Sequence, residues 1–165
     1  MRFHSAPVVR LADAKPMHLG HVAKADGAWR LYAFADRSAI KFRAVMDYLA
    51  QSERSPIRRF TPKGADVDRV IDVRGILQHG HRELKVEELP AMLLPIKGKF
   101  GLIDYEKAFT PDLKNGQDIF ESRGIDRSQG ALIVVRPDQF IAQVLPLDAL
   151  QVLSDFFAQF MIEQN

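Results

Sequence analysis

The chain of 165 residues contains no cysteine. That single absence removes disulfides, thiolate nucleophiles, thiolate metal sites and iron–sulfur clusters together. Long hydrophobic runs are missing as well, and none approaches the ~20 residues a helix needs to cross a bilayer. The opening stretch MRFHSAPVVRLADAKP lacks the unbroken apolar core and small-residue cleavage site of a secretory signal, so a cytoplasmic protein with no membrane contact is expected. Charge of one sign is not in excess: 23 Lys and Arg stand against 21 Asp and Glu, a net charge of +2. A balance that close does not make the basic stripe that tracks phosphate backbones, and nucleic acid is not expected as a partner. No G-x-G-x-x-G, P-loop or G-x-S-x-G spacing occurs, which leaves nucleotide and flavin phosphates without a glycine-rich cradle and serine without a nucleophile elbow.

What is present is an ordinary globular composition, 47% hydrophobic and 27% charged, at a length that suits one domain over residues 1–165 with a real core. Residues 1–20 carry two prolines and mixed charge and read as an extended lead-in, with Val8-Val9 tacked to the body, or equally as an interdomain connector; 21–162 form the core unit. His21–Lys24 and Trp29–Phe34 flank Asp26-Gly27, a strong hairpin signal. A helix follows with Ser38 as N-cap and Phe42, Val45, Met46 and Leu49 on its inner face. Ser52–Asp66, broken by Pro56, Pro62 and Gly64, reads as a solvated basic loop, and Val67–Gln78 as a strand. Leu84–Phe109 is apolar but interrupted by Pro90, Pro95, Gly98 and Gly101, as a packed irregular segment with one short strand near Phe100–Asp104 would be. Gln117–Ser122 gives a short helix closed by Gly124.

The C-terminal stretch organises the rest. Leu132-Ile133-Val134-Val135 lacks polar alternation and belongs inside a sheet, Pro137-Asp138 suits a type I turn, and Gln139–Leu145 alternates as an outer strand does. The closing helix is expected to start at a capping box of Asp148 and Gln151 with Leu147 stapled to Val152. Its stripe of Ala149, Leu153, Phe156 and Phe160, widened by Leu150, Phe157 and Met161, is broader than one sheet face requires.

Candidate chemistry is thin. His79-Gly80-His81 is the one close histidine pair, and without further ligands or an H-E-x-x-H helix it does not make a metal site. Asp66, Asp68 and Asp72 near the start of a strand could form an acidic cluster, but solvated strand-end carboxylates are far commoner than a catalytic pair, and the three stay unassigned. No catalytic, cofactor-binding or metal-ligating residue is assigned. The apolar excess instead marks Met92, Leu93, Leu94, Phe100, Phe109, Phe157 and Met161 as interaction residues, with a homodimer as the expected assembly.

The order hairpin, strand, helix, strand, short helix, hairpin, closing helix resembles the thioredoxin fold, an α/β fold with a central mixed sheet. Where redox members carry Cys-x-x-Cys this chain has Arg37-Ser38-Ala39-Ile40, and where they carry a cis-proline it has Ser128-Gln129-Gly130. A closer resemblance spans nearly the whole chain. The runs Ser5–Arg10, Ala12–Pro16, Leu19-Gly20-His21, Tyr32–Ala35, Ser55–Asp66, Phe100–Lys107, Gly130–Gln139 and Val144–Ala149 are similar, in order, to the C-terminal domain of FAD-dependent phenol hydroxylases. The resemblance implies a thioredoxin-like dimerisation domain without Cys-x-x-Cys, from a family that uses FAD and NADPH to hydroxylate phenols or hydroxybenzoates. It implies no cofactor held by this chain, and the FAD and substrate domains of a monooxygenase as partners. The alternatives from another class are a stand-alone redoxin-like oxidoreductase or a small aromatic-ligand binder, and a third is a subunit completing a separately encoded flavin monooxygenase.

Overall fold

A mixed sheet of seven strands divides the molecule into two apolar layers, as a computed structural model covering residues 1–164 shows. In chain order the strands are β1 (Pro7–Arg10), β2 (Lys15–His18), β3 (Trp29–Phe34), β4 (Ile71–Ile76), β5 (Ile96–Lys97), β6 (Leu102–Ile103), β7 (Ala108–Pro111), β8 (Ala131–Val135) and β9 (Ile141–Leu145). The helices are α1 (Ile40–Gln51), α2 (Pro56–Phe60), α3 (Ile119–Ser122) and α4 (Leu150–Ala158). The main sheet runs β2-β1-β7-β4-β3-β8-β9, while β5 and β6 form a separate small hairpin. β4 is parallel to both β3 and β7, and every other neighbouring pair is antiparallel.

Alternation along the strands assigns the two layers. Leu31, Ala33, Ile71, Val73, Leu132 and Val134 face α1, α2 and α4 through Phe42, Met46, Leu49, Ile57, Phe60, Leu153 and Phe157. Tyr32, Phe34, Ile76, Ile133 and Val135 face Phe3, Val8, Leu19, Ile119 and Phe120. The crossover β3–α1–β4 packs closely because Gly75 has no side chain. A Cβ there would lie 2.7 Å from Leu93 Cδ1 and 2.8 Å from Phe42 Cζ. Both neighbours are core side chains with no room to retreat.

β8 lies inside the sheet as its apolar run predicts, paired with β3 on one side and β9 on the other, and Ile133 is buried. Several expectations are overturned. The hairpin at Asp26-Gly27 does not form: Leu19–Val22 is a 3₁₀ turn, and the loop after it wraps the Arg30 guanidinium. That guanidinium donates to the Lys24 and Ala28 carbonyls and to Asp26, partners an extended strand at 21–24 would not supply. The hairpin lies earlier, where the lead-in was expected. β1 and β2 pair with Val8 opposite Met17, and Pro16 is tolerated because β2 is the sheet edge. The basic loop contains α2, with Pro56 in its first turn and the Ser55 hydroxyl accepting from the Ile57 amide.

Both long helices start differently from expectation. Ser38 is not the cap of α1: Ala39 turns at φ +57° and the carboxylate of Asp36 receives the Phe42 amide. The capping box of α4 is absent too. Gln151 donates to Asp155, Asp148 faces Lys41 at 3.6 Å, and Val152 is exposed instead of stapled. On β9 a bulge opposite Val134/Val135 breaks the expected two-face alternation, so that Ala142 and Leu145 meet the helical layer while Ile141 meets the other. At the end of the segment read as irregular begins a fully buried sheet strand, Ala108–Pro111.

Candidate interaction surface

At one pole of the sheet the chain leaves β3 for α1, the place where redox members of the fold hold their cysteines. Here Asp36, 3% exposed, occupies it. Its carboxylate accepts from the Phe42 amide at 2.9 Å and the Ser38 hydroxyl at 2.5 Å. Burial works against the charge, but those hydrogen bonds outweigh it and hold the carboxyl below the usual carboxylate range. Gln78 bridges the Ala35 and Arg127 carbonyls, each at 2.7 Å, and Arg127 pairs with Asp118. Gly130, at φ +67°, packs so tightly that a Cβ would lie 2.6 Å from Leu147 Cδ1 and 2.8 Å from the Asp36 amide nitrogen. This pole is closed by its own polar side chains. A FAD pyrophosphate would approach a helix start already taken by a carboxylate, so the residues present do not fit that group.

The opposite pole holds a cluster of ionised side chains that the sequence did not disclose. Lys107 Nζ lies 2.6 Å from Asp68, 2.7 Å from Asp72 and 3.4 Å from Asp104. Lys97 Nζ lies 2.6 Å from Asp68 and 3.3 Å from Asp104. Asp72 is shared further with Arg74 at 2.8 Å and with Arg30 Nε at 3.1 Å, the latter an ion pair without hydrogen-bond alignment. Arg30 reaches Asp26 at 2.8 Å. Four cations thus face four carboxylates, and Arg30, Asp72, Arg74 and Lys107 are all buried. Asp68 and Asp72 are therefore not solvated strand-end carboxylates. The available signal was Arg30, Asp72 and Arg74 inside strands otherwise uncharged, at positions that register side by side as Arg30 opposite Asp72.

Burial raises the pKa of Asp68, but hydrogen bonds from Lys107 and Lys97 and their charges outweigh it, leaving the group below its ordinary value. Asp104 is also lowered: burial opposes its charge, while the Glu106 amide and the two lysines favour it. Burial likewise works against the Lys97 ammonium, and Asp68 and Asp104 reverse the balance and raise it.

From this cluster springs the β5–β6 hairpin. Ile96 pairs with Ile103 and Lys97 with Leu102, the Asp104 amide donates to the Pro95 carbonyl at 2.8 Å, and the Gly98 amide donates to Asp66 at 2.8 Å. Gly98 and Gly101 turn at φ +68° and +61°, a conformation glycine adopts without strain. The hairpin's apolar side chains point outward: Phe100 is 82% exposed, Ile96 and Leu102 each 68%, and Ile103 44%. A second apolar area lies at the end of α4, where Phe160 stacks on Trp29 with ring centres 5.1 Å apart and remains about half exposed.

Of the seven interaction residues expected from sequence, Met92, Leu93, Phe109 and Phe157 are core side chains with no surface to offer. Leu93 fills the space over Gly75, Phe109 sits in the sheet on β7, and Phe157 packs under Trp29. Leu94 and Met161 are half-buried, and Phe100 stands free at the hairpin tip. Ile96, Leu102 and Ile103 are exposed beside it and were not among the expected residues, although they lie in a stretch already recognised as apolar. His79 and His81 gather no further ligands, and among the described residues no group of three or more His, Asp or Glu side chains is placed to hold a metal ion. No helix among them is long and apolar enough to cross a membrane.

Comparison with known proteins agrees with this architecture. The chain is 58% identical to a 3-hydroxybenzoate 4-monooxygenase from Comamonas testosteroni over 98% of its length, and 35% identical to the FAD-dependent monooxygenase terD from Aspergillus terreus over 98%. It spans about a quarter of either relative, 26% and 27%. Among solved structures it superposes on a thiol:disulfide interchange protein from Bacteroides sp. with a TM-score of 0.58 at 13% identity, covering 97% of this chain and 88% of the other. The thioredoxin domain of a thiol-disulfide oxidoreductase from Bacteroides vulgatus gives 0.54 at 14% identity, covering 95% of each. Those two likenesses establish a thioredoxin-like fold and nothing of activity. A family model described as the phenol hydroxylase C-terminal dimerisation domain matches residues 1–165, and the chain belongs to that family.

Proposed function

We propose that this chain is a non-catalytic, self-associating domain that joins two copies of a FAD-dependent aromatic hydroxylase in the cytoplasm, with phenols or hydroxybenzoates as the parent substrates. The observation that carries the reading is the family match along residues 1–165, supported by 58% identity to a quarter of a hydroxybenzoate monooxygenase. The closed pole at Asp36 and Gly130 supports an architectural role, since the fold's usual site of chemistry is filled by hydrogen bonds that serve the helix start. In this reading residues 1–165 fold as one unit, with FAD and substrate held by other domains.

The test is to purify the chain, add FAD and run gel filtration with light scattering. The expected result is a colourless dimer, with the flavin eluting separately. Stoichiometric retention of yellow flavin sinks the non-catalytic reading, and a monomer at every concentration sinks self-association.

A further inference from the structure

The β5–β6 hairpin combines two properties that work against each other in a lone monomer. Its outer side chains, Phe100, Ile96, Leu102 and Ile103, are apolar and open to water. Its base is immobilised by charge, through Lys97 to Asp68 and Asp104 and through the Gly98 amide to Asp66. Two residue pairs do not hold a hairpin in shape by themselves in water, so the ionic base supplies the rigidity. Fixing an apolar loop before it meets a partner reduces the ordering entropy lost on docking, a gain that exists only if something docks.

We infer that this hairpin is a docking arm for a second copy of the chain, with Phe100 at its tip buried in the dimer. The inference rests on the self-association reading above and names the surface that performs it. A second copy fits better than the remaining domains of a longer hydroxylase, on grounds of position and charge. In relatives that contain this C-terminal domain, the rest of the polypeptide joins at the Met1 end, which lies against β9 through Arg2 opposite Phe140 and the Ile141 amide on the Met1 carbonyl. The arm leads into β7, four strands across the sheet from β9, or roughly 19 Å at about 4.8 Å per spacing. Charge also permits a symmetric contact. The four cations and four carboxylates beneath the arm cancel, so two copies approaching with the same face meet no like-charge barrier from the cluster.

Sedimentation velocity over a concentration series, on the full chain, compares wild type with a Phe100→Ser/Leu102→Ser variant. Phe160→Ser, on the other apolar area, is the control. Wild type and control are expected to dimerise alike, while the arm variant raises the dimer dissociation constant by roughly thirty-fold or more, as loss of an interface hot spot does. Its circular dichroism and thermal unfolding should match wild type, because both replaced side chains are exposed. A second measurement uses the lack of native cysteine: Lys99→Cys carries one spin label per chain, and pulsed EPR should find a short, concentration-dependent distance between copies. A dimer that survives the arm substitutions, or labels without coupling in a demonstrated dimer, overturns the arm and leaves self-association standing. A wild-type chain that stays monomeric throughout overturns both. An arm protected from labelling solely within a longer hydroxylase, with the isolated dimer unaffected by its substitution, assigns the arm to neighbouring domains and overturns the inference.

Discussion

Lys107 Nζ lies 2.7 Å from Asp72 Oδ1, with both side chains at most 5% exposed. The same ammonium serves Asp68, so one lysine neutralises carboxylates from two places on the chain and ties the start of β4 to the segment leading into β7. Lys107→Met removes the shared cation, leaving Asp68 to Lys97 and Asp72 to Arg74 and Arg30. A loss of about 2–3 kcal/mol is expected, below the ~3–5 kcal/mol of a buried pair broken outright, because each acid keeps another cation. Urea unfolding checks it, and a loss below about 1 kcal/mol would mean that water reaches the cluster.

The same cluster predicts a pH window for the arm. Asp68 and Asp104 are held below their ordinary pKa, so their contribution is complete above the unfolded carboxylate value of about 3.9 and is lost as pH falls through the folded values. Lys97 is raised, so its contribution is complete below the unfolded value of about 10.4 and is lost as pH climbs through the folded one. Amide protection factors in residues 96–104, exchange rates corrected for the intrinsic pH dependence of the chemistry, should therefore be flat through neutral pH and fall at both extremes. A loss of protection near pH 6–7, where none of these groups titrates, would contradict the assignment.

Gly130 and Gly64 share a left-handed backbone, φ +67° and +79°, but not a neighbourhood. Around Gly64 a Cβ would meet nothing within 4 Å, whereas at Gly130 it would run into the Phe34 carbonyl and Leu147. Gly64→Ala is expected to cost about 1 kcal/mol, from backbone strain alone. Gly130→Ala should cost about 2–4 kcal/mol, because overpacking adds to that strain. Thermal unfolding of the two variants side by side decides it, and equal melting temperatures would refute the close approach.

Asp36 caps α1 from three residues before its N-cap Ala39, through the Phe42 amide. Asp36→Ala removes that acceptor and the Ser38 partner together, and about 1–2 kcal/mol should be lost. Ser38→Ala should cost less, since the Asp36–Phe42 bond remains. If chemical denaturation finds Ser38→Ala the more damaging of the two, the hydroxyl and not the carboxylate carries the cap.

Much of this protein was legible in its residues alone. The absence of cysteine excludes thiol chemistry whatever the fold, because no arrangement creates a sulfur. The β8–turn–β9 unit, the inner face of α1 and the stop at Gly124 follow from patterns local to a few residues, and the structure contains all of them. The family, too, is written in runs of consecutive residues. Tertiary structure decided what depends on partners distant in the chain. Asp72 looks like a solvated acid until β4 registers beside Arg30 and the chain returns with Lys107, 35 residues later. Leu93 and Phe100 belong to one apolar stretch, yet Gly75 makes room for the first and nothing in the described chain covers the second. Periodicity reports that a side chain is apolar and which way it alternates; whether it meets core, solvent or a second copy is settled by long-range packing, and that energy is not encoded locally.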